Sequence, residues 1–93
     1  MTTASGVSKI LKITNEKGLH ARAAAAFVRT ADSFDAQVCV EKDEQEVSGH
    51  SIMGLMMLGA ACDSEIKVVC SGKEAQKALN ALEKLVNDKF NEN

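Results

Sequence analysis

Residues 36–48 read AQVCVEKDEQEVS, and this stretch decides the fold. Within residues 36–42, Val38 and Val40 point one way while Gln37, Cys39 and Glu41 point the other, the two-residue period of a half-buried strand. Asp43, Glu44 and Gln45 make a short polar connection to a brief second strand over residues 46–48, which closes a hairpin. A hairpin makes the sheet antiparallel at that point, and such a sheet can bury one face and leave the other to water.

On the C-terminal side, Gly49 and His50 lead to Ser51, a good N-cap for a short helix with Ile52, Leu55 and Met56 on one face. Residues 59–63 break that helix. Residues 65–70 alternate again, with Ile66, Val68 and Cys70 as one face. The last helix is the plainest: Ala75, Ala78, Leu79, Leu82, Leu85 and Val86 keep helical spacing, and Ser71 with Glu74 reads as a capping box at its start. On the N-terminal side, residues 21–31 form an alanine-rich helix whose Ala24, Phe27, Val28 and Ala31 fall on one stripe. Residues 14–18 (TNEKG) carry turn chemistry, and residues 7–13 a strand in which Val7, Ile10 or Leu11, and Ile13 compete for the inner face. Residues 1–6 read as a loose lead. The order is β-α-β-β-α-β-α, an α+β domain whose antiparallel sheet is covered on one face.

The chain has 93 residues, which suits one domain; at this length roughly 60–70% of the unfolded surface can be buried, enough for one modest core. Three Phe and no Trp or Tyr make that core aliphatic. A net charge of −2 and so few aromatics argue against nucleic-acid binding, which needs a basic face or stacking platforms. No apolar run reaches the length of a membrane span and no signal pattern opens the chain, so a cytoplasmic protein without membrane contact is expected. Cys39, Cys62 and Cys70 lack C-x-x-C spacing and read as reduced thiols, with Cys39 and Cys70 as small packing residues in strands.

Chemistry is confined to two histidines, each beside a helix start. His20 lies at the entrance of the first helix, with Arg22 two residues on. Helix starts present unpaired N–H groups and partial positive charge, and a guanidinium adds a planar donor fork for phosphate oxygens. Imidazole is a nucleophile available near neutral pH. The arrangement describes a reversible phosphoryl acceptor; it equally describes a histidine that only caps a helix. Ser51 reads as a plain N-cap or as a modification site at a helix start, where a phosphate is tolerated. Ile52, Met53, Leu55, Met56 and Met57 are too many apolar residues for one face of a short helix, so some are exposed unless the helix sits deep. His50, beside Ser51, reads as an exposed loop residue without a task, with help in phosphate recognition as the alternative. No ligand set completes a metal site with His20 and His50.

The run Gly18-Leu19-His20-Ala21-Arg22, followed by the Ala-rich helix and Phe27-Val28, resembles the active-site signature of the histidine-containing phosphocarrier (HPr) family of the phosphoenolpyruvate phosphotransferase system. The run from Ser48 through Ser51-Ile52-Met53-Gly54 to Gly59 resembles that family's regulatory serine segment. The similarity spans residues 7–90. It implies an open-faced sandwich, a four-stranded antiparallel sheet with three helices on one face. It implies that Nδ1 of His20 accepts a phosphoryl group from Enzyme I, assisted by Arg22, and passes it to an Enzyme IIA-type acceptor. Ser51 matches the target of an HPr kinase/phosphorylase, and Ile52, Met53 and Met56 match the partner-docking patch. Such a protein is a carrier and not an enzyme, needs no cofactor, and works as a monomer.

Ala23 stands where the family usually has proline. Alanine restores an N–H and gives up a preset backbone, so carrier activity should survive with altered transfer rates. Gly18-Leu19, where some members of the nitrogen-related branch carry other residues, together with the intact serine segment resembles versions from bacteria whose system is mostly regulatory, so a regulatory or nitrogen-branch member is the expectation. A binding-only regulator acting through Ile52, Met53 and Met56 is the alternative, and intact His20 and Arg22 argue against it. A small RNA-binding α/β domain fails on charge and on the missing aromatics.

Overall fold

A computed structural model describes residues 6–92. The strands are β1 (Val7–Lys12), β2 (Gln37–Lys42), β3 (Gln45–Ser48) and β4 (Glu65–Ser71), and the helices α1 (Ala21–Asp32), α2 (Ile52–Met57) and α3 (Ala75–Asn87). They form one antiparallel sheet in the order β1-β4-β2-β3, with the helices on one face. The expected element order and the open-faced sandwich are both present. The loose lead expected over residues 1–6 falls, apart from Gly6, outside the described residues.

The core forms between the sheet and the helices. Val38, Val40, Ile66, Val68 and Cys70 supply the sheet side, and Phe27, Ala31, Ala78, Leu82 and Val86 the helix side. Phe27 is the large buried filler among small alanines, so Phe27→Ala would leave a cavity costing about 3–5 kcal/mol.

The structure settles one open local reading and corrects three others. The contest in β1 goes to Leu11, which is buried, while Ile10 is 62% exposed; Ile13 is buried but lies past the strand, its N–H donating to the Ser64 carbonyl. The capping box at α3 does not form. Ser71 is kept in β4 by pairing with Gln37, and Glu74 caps without a side-chain bond to the helix; its Oε1 instead accepts the Asp35 N–H at 2.8 Å. Val28 and Leu85 only flank the core. Cys70 packs in the core as expected, but Cys39 sits half-exposed on the outer face of the sheet.

The turn before α1 is built around Gly18, at φ +68°, where a Cβ would run into the Ala60 carbonyl oxygen. Next to it the Leu19 N–H donates to that same oxygen at 2.9 Å. The loop after α2 therefore lies against the start of α1. At the other end, His50, just before α2, contacts Asp32 at the end of α1. Helices α1 and α2 thus run side by side in opposite directions, with the His20 turn at the C-terminal end of α2.

Candidate functional site

His20 is the N-cap of α1: its backbone is extended, its carbonyl accepts the Ala24 N–H at 2.8 Å, and its Nδ1 accepts the Arg22 N–H at 3.2 Å. That second bond is at the long end of the ordinary range, and the Arg22 N–H can pass to another acceptor placed at the helix start. The N–H groups of the first turn, among them that of Ala23, point outward along the helix axis with no partner inside the helix. The ring is a quarter exposed. It therefore faces the helix amides and is open to solvent, the placement that the sequence called for.

The other ring nitrogen settles the tautomer. Nε2 lies 2.6 Å from Oε2 of Glu92, and a carboxylate oxygen only accepts, so the ring proton sits on Nε2. The lone pair is then on Nδ1. Glu92 is held in turn by Asn15, whose Nδ2 donates to its Oε1 at 3.1 Å and to the Gly18 carbonyl at 2.8 Å. Both partners are acceptors, so the orientation of the Asn15 amide is fixed. Asn15 is the buried polar residue of the core, and its Oδ1 has no partner among the described residues. Partial burial pushes the Glu92 carboxyl up, but the hydrogen bonds from His20 and Asn15 outweigh that. With the charge of Arg22 adding, they hold it below the usual carboxylate range.

The Arg22 side chain is exposed and lines an open cleft with Glu16, Lys17, Phe90, Asn91 and Glu92. Among the described residues it meets no hydrogen-bond or ion-pair acceptor, and its donors face the cleft.

Ser51 caps α2, its Oγ accepting the Gly54 N–H at 2.9 Å. On α2 only Leu55 is buried; Met53 and Met57 are 71% and 73% exposed, and Ile52 and Met56 are also out. The helix does not sit deep, and its apolar residues make a surface patch to which Met57 belongs. Because α2 ends beside the His20 turn, the patch lies between His20 and Ser51.

His50 is not idle. Its Nε2 accepts the Val38 N–H at 3.2 Å and its Nδ1 lies 2.6 Å from Asp32 Oδ1, while the Gly49 N–H donates to the Val38 carbonyl at 2.7 Å. Beyond the end of β3, Gly49 and the imidazole take up the strand groups of Val38 that β3 no longer reaches. The β3–α2 connection is thereby pinned to the sheet.

Sequence reasoning missed Asn15 and Glu92. Asn15 could have been suspected from its place in a turn beside the histidine; nothing local points to Glu92. Two of the thiols are disfavoured as nucleophiles: burial, with Cys39 adding, pushes Cys70 up to about 11, and burial with Glu46 raises Cys39. Among the described residues no group of three His, Cys, Asp or Glu could hold a metal ion, and no helix is long and apolar enough to cross a membrane.

Fold and site together define a class: a small open-faced sandwich with a solvent-reachable imidazole capping the start of its first helix, beside a second capped helix with an apolar face. The family model described as the phosphorylation site of the PTS HPr component matches residues 7–88. The phosphocarrier protein HPr of Treponema pallidum is 40% identical over 86 residues, covering 92% of this chain and 98% of that protein. The HPr of Neisseria meningitidis serogroup A is 44% identical over 82 residues, covering 88% and 92%. The crystal structure of HPr-C-His from Thermoanaerobacter tengcongensis superposes with a TM-score of 0.90 at 41% identity, over 94% of this chain and 98% of that one. The chain belongs to the HPr family of the phosphotransferase system.

Proposed function

We propose that this chain, as an HPr phosphocarrier of the phosphotransferase system, takes a phosphoryl group on Nδ1 of His20 from Enzyme I and gives it to an Enzyme IIA-type acceptor. The observation that carries this reading is the pair of contacts on the ring: Nε2–H committed to Glu92, and Nδ1 with its lone pair toward a releasable helix N–H. In the forward step the Nδ1 lone pair attacks phosphorus. The Nδ1–P bond forms as the bond from phosphorus to the donor's leaving atom breaks, and that electron pair stays with the donor. No proton leaves the ring, which keeps Nε2–H and becomes cationic. The Arg22 N–H, freed from Nδ1, turns to a phosphoryl oxygen together with the neighbouring first-turn amides, and the Arg22 guanidinium meets the remaining charge. In the onward step the Nδ1–P bond breaks, its electron pair returns to Nδ1, and the neutral ring is restored. The helix start stabilises the anion by about 0.3–2 kcal/mol, enough to hold it and too little to trap it.

Ile52, Met53 and Met56, joined by Met57, are proposed as the surface that receives each partner in turn; flexible thioethers repack against different surfaces. Ser51 is proposed as the target of an HPr kinase/phosphorylase. A phosphate there adds about −1.5 to −2 charges at a helix cap, which the helix tolerates, but at the rim of the docking patch, which an acidic partner surface does not. One molecule meeting one partner at a time, in the cytoplasm and as a monomer, fits these roles. The test is incubation with Enzyme I and phosphoenolpyruvate followed by mass spectrometry. The expected result is an acid-labile gain of one phosphoryl group that is absent in His20→Ala; labelling that survives this change means another acceptor.

A further inference from the structure

Glu92 reaches His20 by an unusual path. After α3 the backbone makes a tight turn in which Lys89, Phe90 and Asn91 have φ of +57°, +56° and +62°. None is glycine, and three successive L residues in the left-handed region hold only when their surroundings fix them. Here Phe90 is buried at 6% exposure, the Glu92 N–H donates to the Lys89 carbonyl at 2.9 Å, and the Glu92 carboxylate is gripped by two side chains, Asn15 and His20. The Glu92 side chain is only 17% exposed. The turn therefore delivers one carboxylate to one ring nitrogen and braces it from behind with a buried amide.

We propose that Glu92 is a positioning residue for phosphoryl transfer: its carboxylate, braced by Asn15, keeps the His20 proton on Nε2 and holds the ring with Nδ1 toward the start of α1. This rests on the reading of His20 as the acceptor. The chemistry is that of a carboxylate orienting an imidazole whose other nitrogen does the work. Nε2 and Nδ1 lie on different edges of the ring, so the carboxylate stays clear of the place the phosphoryl group takes. In the phosphorylated state Nε2–H belongs to a cationic ring and its bond to Glu92 becomes charge-assisted on both sides. Glu92 therefore favours the loaded carrier more than the free one, and its effect is on the transfer step itself.

The test compares Glu92→Ala and Glu92→Gln with the unaltered chain by two readouts. The first is made on unphosphorylated protein: a proton resonance of the His20 Nε2–H, shifted downfield by its carboxylate partner. It should be present in the unaltered chain and lost in Glu92→Ala. The second is the rate of labelling by Enzyme I at neutral pH, expected to fall about tenfold in Glu92→Ala. In Glu92→Gln, which keeps an acceptor oxygen without the charge, the fall should be smaller. A melting curve lowered in Glu92→Ala with resonance and rate unchanged would make the contact structural only and overturn the proposal. So would the absence of the resonance from the unaltered chain. If the unaltered chain shows the resonance but takes no phosphoryl group, the carrier reading fails, while Glu92 still orients the ring.

Discussion

Two histidines stand beside two helix starts, and their hydrogen bonds look alike: each ring accepts a backbone N–H at 3.2 Å through one nitrogen and meets a carboxylate at 2.6 Å through the other. Their duties differ because of which N–H each one holds. His20 holds that of Arg22, one of a cluster of first-turn amides that can be handed to an incoming anion without loss. His50 holds that of Val38, a strand group with no other partner once β3 has ended; releasing it would leave a buried residue's amide unpaired. On the proposed reading the same imidazole is a reagent at one helix and a fastener at the other.

That contrast can be broken by exchange of losses. His20→Ala should abolish acid-labile labelling, by at least about a thousandfold in rate, because the nucleophile is gone. It should cost only about 1 kcal/mol of stability for the missing cap, read as a shift in the urea midpoint. His50→Ala should do the reverse. It strands the Val38 N–H and frees Asp32, so a loss of about 1–2 kcal/mol is expected in the same urea titration, with labelling of His20 retained. If His50→Ala abolishes labelling while remaining folded, the division of duties is wrong.

Ser51 sharpens the contrast at the second helix. Ser51→Ala removes the oxygen that accepts the Gly54 N–H and should cost about 1 kcal/mol by thermal unfolding. Ser51→Asp keeps a good cap and adds charge, so stability should hold while affinity for Enzyme I falls in a direct binding titration. Unfolding by Ser51→Asp would show that the cap argument fails.

The smallest effect is in pH. The Glu92 carboxyl is held below its usual range when folded, so its contact adds stability at any pH above the unfolded value, about 4.3, and that contribution is lost as pH falls through the lower folded value. The residue is near the surface, so the contribution is modest. Around it stand His20, Arg22, Glu16 and Lys17. Acidification below the ordinary carboxylate range should release the segment after α3 from His20, seen as faster proteolysis there or loss of the Nε2–H resonance, before the sheet unfolds.

Much of this was legible in the sequence where periodicity is strong. Val38 and Val40 identified the hairpin, the Ala and Leu stripes identified α1 and α3, and the motifs around His20 and Ser51 marked both helix starts. Periodicity failed in β1, because Ile10 and Leu11 are adjacent and equally apolar; only pairing with β4 turns Leu11 inward opposite Ile66. It failed at the α3 cap because Ser71 is claimed by a longer-range partner in the sheet. The crowding of apolar side chains on α2 correctly implied exposure, since six residues cannot bury five large ones on one face. Glu92 was invisible. It lies 72 residues from His20, behind a left-handed turn with no glycine to announce it. The Val38 contact of His50 depends on where β3 stops, which no local pattern fixes.

The most direct measurement is the position of the phosphoryl group on the loaded protein, read from the ring nitrogen shifts of ¹⁵N-histidine-labelled chain after treatment with Enzyme I and phosphoenolpyruvate. Phosphorus on Nδ1 of His20, with Nε2 still protonated, is the expected result. Phosphorus on Nε2, or on a residue other than His20, would contradict a site in which the carboxylate takes one edge of the ring and the helix amides serve the other.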